Sequence, residues 1–144
     1  MKMNKNLLLA SNSPRRRELL ALIGFPYQSS SADVDESILP NEAPADYVLR
    51  LAEAKARACA QAGTDKCAGQ IVIGSDTAVV DAGAILGKPK DERDAVSMLK
   101  QLRGRKHQVY TAVVLFNPES DQVITELGIS DVPMRDYTDA ELEA

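Results

Sequence analysis

Near the N-terminus the chain reads LLLASNSPRRREL, from Leu7 to Leu19, which spells a strand that turns directly into a helix. Leu7 to Leu9 is a short apolar run of the kind a buried strand uses. Ser11-Asn12-Ser13 is turn chemistry. Ser13 can cap a helix with its hydroxyl, and Pro14 suits the first helical position because its missing N–H has no partner there anyway. Leu19, Leu20 and Ile23 then supply an apolar stripe, and Gly24 is a stop signal.

The rest of the chain continues the alternation. Pro26 to Pro40 is polar, with an acidic knot at Asp33, Asp35 and Glu36. A long helix is expected from about Ala45 to Ala62, because Val48, Leu51, Ala52, Cys59 and Ala62 recur at helical spacing; Gly63 ends it. Ile71 to Ile73 reads as a strand, interrupted by Gly74-Ser75-Asp76-Thr77 and resuming at Ala78 to Val80. Asp81-Ala82-Gly83 turns into a short strand, Ala84 to Leu86, and Gly87-Lys88-Pro89 closes that hairpin. Asp91 to Leu102 is a helix, acidic at its start, with Ala95, Leu99 and Leu102 inward and Gly104 beyond it. His107 to Phe116 and Gln122 to Ile129 complete the strands, joined through Asn117-Pro118. The order β, α, α, β, β, α, β, β predicts an α/β (α+β) fold, a mixed β-sheet flanked by helices. Thr138 and Glu141 form a capping-box pattern just before the chain stops at Ala144. That favours a chain cut short over a frayed polar tail.

With 144 residues the chain is expected to form one domain over its whole length. A chain of that size can bury roughly 70% of its unfolded surface. Its 44% hydrophobic and 26% charged residues are ordinary for a globular protein, and the net charge of −4 argues against a general nucleic-acid binder. An anion site must therefore be built locally, against the overall field. Cys59 and Cys67 fit no zinc or redox spacing. Leu7 to Ala10 is too short an apolar run for a signal peptide or a membrane span, which makes the cytoplasm the default expectation.

Three arginines, Arg15 to Arg17, stand in the first turn of the first helix, where the helix dipole disfavours cations. An anion there would remove the cost, since backbone N–H groups, serine hydroxyls and guanidinium forks make a phosphate site. The alternative is a solvated charge run; of the three, Arg17 is expected to face solvent. Asp76 lies between apolar runs, so it is either a turn residue or a buried carboxylate with a task. Lys55 falls on the apolar stripe with residues 48, 51, 52 and 59, so it either snorkels outward or aims its ammonium into an anion cleft. Glu36, with Asp33 and Asp35, could hold a hard divalent cation or simply be solvated. Lys88 is a weaker phosphate candidate. His107, the lone histidine, is expected at a strand edge, which leaves no histidine triad or zinc site. Cations at Arg15, Arg16, Lys55 and Lys88 with carboxylates at Glu36 and Asp76 match metal-assisted attack of water on a phosphate chain.

At these residues the chain resembles the Maf proteins, nucleoside triphosphate pyrophosphatases with an inosine-triphosphatase-like fold. The segments LASNSPRRREL, DVDE, RLAEAKA, IGSDT, GKP and HQVYTAV carry the likeness, in family order. The resemblance implies hydrolysis of a nucleoside triphosphate to the monophosphate and pyrophosphate, with Mg2+ or Mn2+. It implies Asp76 as proton acceptor and metal-linked carboxylate, Glu36 as second carboxylate, and Ser11, Arg16, Lys55 and Lys88 on the phosphates. Arg15 and Thr77 stand where the family sets base preference. Arg and Thr there imply the branch acting on dTTP and UTP, with modified pyrimidine triphosphates included, whereas the 7-methyl-GTP branch has Trp and Gln. A homodimer is implied as well, with no nucleic-acid or membrane partner. Relatives continue past Ala144 with a Gly-Tyr/Ile-Gln-Gly and an Asn-Val-Val-Gly-Leu-Pro segment, and often have Glu where this chain has Ala54. A second expectation is therefore a nucleotide-binding fragment or regulatory protein without catalysis, since the family has also been linked with septum formation and cell-division arrest. A third is a generic sugar-phosphate or nucleotide enzyme.

Overall fold

Strand β1 (Leu7–Ala10) runs into helix α1 (Pro14–Ile23) much as the sequence spells it. The Ser13 hydroxyl accepts from the Arg16 amide at 3.4 Å, Pro14 opens the helix, and Gly24 closes it in the left-handed region at φ 86°. Strand β2 (Tyr27–Ser30) follows, then helix α2 (Pro44–Ala62), strand β3 (Ile71–Asp81) and strand β4 (Ala84–Leu86). Helix α3 (Glu92–Leu102), strands β5 (Lys106–Asn117) and β6 (Gln122–Pro133) and helix α4 (Asp139–Leu142) complete the chain. The computed structural model describes residues 7–11, 13–24, 27–30, 33–62, 70–87 and 89–142. Lys88, Cys67 and Gly63 lie outside the described residues.

The sheet order is β2-β1-β3-β5-β6, with β4 also on β3. β1 pairs in parallel with β2 and β3, while β3–β4, β3–β5 and β5–β6 are antiparallel, so the sheet is mixed as expected. Ala82 and Gly83, both at positive φ, make the tight turn between β3 and β4.

The core lies between the sheet and α2. Val48, Leu51, Ala52 and Ala56 on the helix are fully buried, as are Val72, Ala112 and Val114 on the sheet. Each fully buried valine or leucine contributes about 1.5–3 kcal/mol. The alanines serve a second purpose, because they let the helix backbone come down onto Gly74 of β3, where a Cβ would meet the Ala52 carbonyl oxygen at 2.1 Å.

Several expectations need correction. The segment at 74–77 does not interrupt β3, which is paired with β5 from Val72 to Val80. The ladder to β5 carries the strand through this segment even though Gly and Asp are poor strand formers. β2 was hidden in the polar stretch from Pro26, since pairing to β1 rather than an apolar run defines it. β6 extends four residues beyond Ile129, to Pro133. Leu19 is 57% exposed, so only Leu20 of that pair faces inward, and Leu99 is also exposed while Leu102 is buried. His107 is not an exposed edge residue: it is buried near the start of β5, where it pairs with Val132 of β6. The capping box forms, with Thr138 N–H donating to Glu141 Oε1 and Glu141 N–H to Thr138 Oγ1, and it opens the single turn α4. Among the described residues no helix is long and apolar enough to cross a membrane.

Candidate active site

β3 has one edge paired along its length by β5, but its other edge is shared. β1 pairs it through Ile73, and β4 pairs it from Val79. Between them an opening lies at the carboxyl end of β1, where α1 begins. Crevices at the carboxyl ends of parallel strands, beside a helix N-terminus, are where α/β sheets bind anions. Arg16 occupies this opening. One guanidinium nitrogen donates to the Ser75 carbonyl at 3.2 Å, taking the place of a ladder partner, and the other donates to Thr77 Oγ1 at 3.4 Å. Thr77 Oγ1 in turn lies 3.3 Å from Thr111 Oγ1 on β5. Burying part of Arg16 against β3 answers the puzzle of cations in the first turn: one arginine of the three ties α1 to β3. Arg15 and Arg17 are exposed.

Asp76 points to the α2 face and is buried at 5% exposure. Lys55 on α2 donates to its Oδ1 at 2.7 Å and stands 3.6 Å from Glu36 Oε1. A carboxylate buried in mid-strand must be paired, and here it is. Lys55 therefore does not snorkel outward; its position on the apolar stripe aims it at Asp76. Three of the candidates thus meet at one ammonium group.

Two clefts flank this part of β3. One of about 580 Å³ is bounded by Glu36, Tyr47, Asp76, Ile85, Leu86 and Met98. The other, of about 460 Å³, is bounded by Ser13, Arg15, Arg16, Leu19, Thr111 and Val113. Thr77 borders both. Ser11 is buried at the end of β1, and its hydroxyl accepts from the Ser13 amide at 3.0 Å, so it closes the turn ahead of α1.

Residues that sequence reasoning missed hold the Glu36 segment. The Tyr47 hydroxyl donates to the Glu36 carbonyl at 2.6 Å. Arg50 grips Glu42 with two nitrogens, at 2.7 and 2.9 Å, and donates to the Ser37 carbonyl at 2.8 Å. Asp35 accepts from both the amide and the hydroxyl of Ser37, bonds that hold its carboxyl below the ordinary range. Burial, followed by the charges of Asp76 and Glu36, raises the Tyr47 phenol. The only signal for this clamp was the spacing of Tyr47 and Arg50 on one helix face; their partners in an irregular loop leave no pattern.

The Arg50 hydrogen bonds hold the Glu42 carboxyl below its ordinary value of 4.5. Its folded-state pKa is thus below the unfolded one. The pair's contribution is complete above the ordinary carboxylate range and fades as pH falls through the depressed folded value. Glu42→Gln is expected to lower the melting temperature at neutral pH, with the gap to wild type closing on acidification. Melts across a pH series check this, and a gap independent of pH would show that the pairing is not ionic.

Fold and site together define an α/β protein with a mixed sheet and a cation-braced cleft around a buried strand carboxylate. The chain belongs to the family of Maf-like proteins, whose model matches residues 6–144. It is 47% identical over 137 residues to the dTTP/UTP pyrophosphatase of Pseudoalteromonas atlantica, a match covering 95% of this chain and 70% of that one. The protein of the same name from Hahella chejuensis is 47% identical over 139 residues, covering 96% and 68%. Among solved structures the chain is similar to the Staphylococcus aureus Ham1 protein, with a TM-score of 0.56 at 16% identity over 92% of this chain and 73% of that one. That likeness speaks for the fold alone and agrees with the mixed sheet flanked by helices.

Proposed function

We propose that the chain is a nucleoside triphosphate pyrophosphatase that cuts dTTP and UTP, and modified pyrimidine triphosphates of the same shape, to the monophosphate and pyrophosphate. The observation that carries this reading is Asp76, a carboxylate buried in mid-strand, ion-paired to Lys55 at 2.7 Å and opening onto a cleft. The names of the relatives at 47% identity support the substrate.

Asp76 takes the proton of the attacking water on the oxygen that Lys55 leaves free. The water oxygen bonds to the α-phosphorus, the bond from that phosphorus to the bridging oxygen breaks, and pyrophosphate departs with the electron pair. Lys55 and Arg16 are cations fixed before the substrate arrives, so they stabilise phosphate charge without reorganising. Arg15 stands exposed on the rim of the cleft that Thr77 borders, a position from which the two can contact a base. Ser11 and Lys88 complete the phosphate contacts in this reading.

Glu36 and Asp76 are the residues that would hold Mg2+ or Mn2+. Their donor set fits, because two carboxylates meet on one ammonium group and carboxylate oxygens suit hard cations. Among the described residues no group of three or more His, Cys, Asp or Glu converges. Water and phosphate oxygens would fill the other positions, as is usual for magnesium. When bound, such an ion neutralises charge on the phosphate oxygens.

The test is pyrophosphate release from dTTP, UTP, CTP and 7-methyl-GTP with Mg2+ or Mn2+. Release from dTTP and UTP is expected. Saturable nucleotide binding by folded protein without any release would replace this reading with a binding role.

A further inference from the structure

Glu36 sits in a stretch, residues 33–43, that forms neither helix nor strand. Its side chain is half exposed, at 48%, and its contact with Lys55 is long, at 3.6 Å. An ion pair of that length with one partner half in solvent contributes little. Asp76 adds repulsion, since both carboxylates face the same ammonium group. Left to its side chain, Glu36 would swing away from the cleft.

The backbone is what keeps it there. Two consecutive carbonyls, those of Glu36 and Ser37, accept from Tyr47 and Arg50 of α2, at 2.6 and 2.8 Å. The same guanidinium holds Glu42, and Glu42 Oε1 accepts from the Leu39 amide at 3.1 Å, so the loop is fastened at both ends. The Tyr47 ring packs on the core, and the Arg50 guanidinium lies 5.7 Å from its centroid, so each braces the other. Tyr47 and Lys55 are two turns apart on α2. One helix therefore sets both the ammonium group and the carboxylate that faces it.

We propose that Tyr47 and Arg50 are positioning residues, whose hydrogen bonds to the backbone at Glu36 and Ser37 hold the Glu36 carboxylate against the Lys55–Asp76 pair. This rests on the catalytic role proposed above for Glu36. The two residues act on the loop, and they leave the phosphate-binding cations where they are.

Tyr47→Phe keeps the ring in the core and removes only the donor. It is expected to lower kcat for dTTP by about tenfold, the effect of one lost hydrogen bond, with KM little changed. In a Glu36→Gln background the same substitution should cost nothing further. An equal loss in both backgrounds would overturn the proposal, because Tyr47 would then act through the fold at large. Arg50→Lys keeps the charge but loses the fork, and should show the same dependence on Glu36. Hydrogen exchange gives a readout without activity: the Ser37 and Leu39 amides should exchange roughly tenfold faster in Tyr47→Phe. Unchanged exchange there would also overturn the clamp. Should the wild type release no pyrophosphate from any of the four nucleotides, the proposed function falls by itself, and the exchange comparison still decides the clamp.

Discussion

Asp76→Asn is expected to remove turnover of dTTP and UTP while leaving nucleotide binding close to wild type. The amide has the shape of the carboxylate, and its oxygen can still accept from Lys55 Nζ, which now lies 2.7 Å from Oδ1. The strand is held by the β5 ladder on one side and by β1 and β4 on the other, so the backbone does not depend on the charge. What disappears is the basic oxygen. A general base contributes about 10²–10⁴-fold to rate, and the loss should reach that range or exceed it if Asp76 also holds the metal. Binding survives because the cations supply it, and with Asp76 neutral Lys55 is freer to engage a phosphate. Turnover assays beside calorimetric titration of dTTP check both halves. Near-wild-type turnover would remove Asp76 as the base; loss of binding together with turnover would make it a substrate-holding residue instead.

The same residue shows how much of this molecule could be read in advance. Asp76 was visible as a carboxylate among apolar runs, and Lys55 as a cation on the wrong side of an amphipathic helix. Neither signal said that the two would touch, because the register of α2 over β3 depends on packing small residues against Gly74. In the first strand–helix unit Ser13, Pro14 and Gly24 were legible, since caps act locally, whereas the inward face was not, Leu19 being exposed. β2 was not, because a four-residue strand paired in parallel needs its neighbour to exist. Arg16 stands out in the sequence as a phosphate candidate, yet its partners within the chain, Ser75 and Thr77, are some sixty residues away, and sequence pattern has no access to contacts at that separation. The clamp by Tyr47 and Arg50 was invisible for a related reason: its acceptors are backbone carbonyls, and every residue has one. The side of β3 chosen by each residue follows from strand alternation once the strand is known to be continuous. A strand broken at 74–77 hides that the side chains of Asp76 and Thr77 leave opposite faces of the sheet.

Gly74→Ala should be the most damaging single-methyl change in the core. The glycine is not there for its conformational freedom; it is there because α2 lies on top of it. An added Cβ would come within 2.1 Å of the Ala52 carbonyl oxygen and 2.9 Å of Ala56 Cβ. The first of these contacts is with backbone, so no side-chain rotation relieves it, and the helix must withdraw from the sheet. Overpacking of this kind costs about 1–3 kcal/mol and occasionally more, and the depth of the overlap puts Gly74→Ala at the upper end or beyond. The consequence reaches the site, because α2 carries Lys55. A helix displaced from β3 lengthens the Lys55–Asp76 pair and leaves a buried carboxylate without its partner. The fraction that stays folded should therefore lose activity as well as stability. Gly87→Ala is the control for stability, since a Cβ there meets nothing within 4 Å and no positive φ is involved; its effect should stay within about 0.5 kcal/mol. Denaturant titration of the two variants, with dTTP turnover measured well below each midpoint, decides the matter. If Gly74→Ala unfolds at the wild-type midpoint and keeps wild-type turnover, the close seat of α2 on β3 is not what holds Lys55 to Asp76.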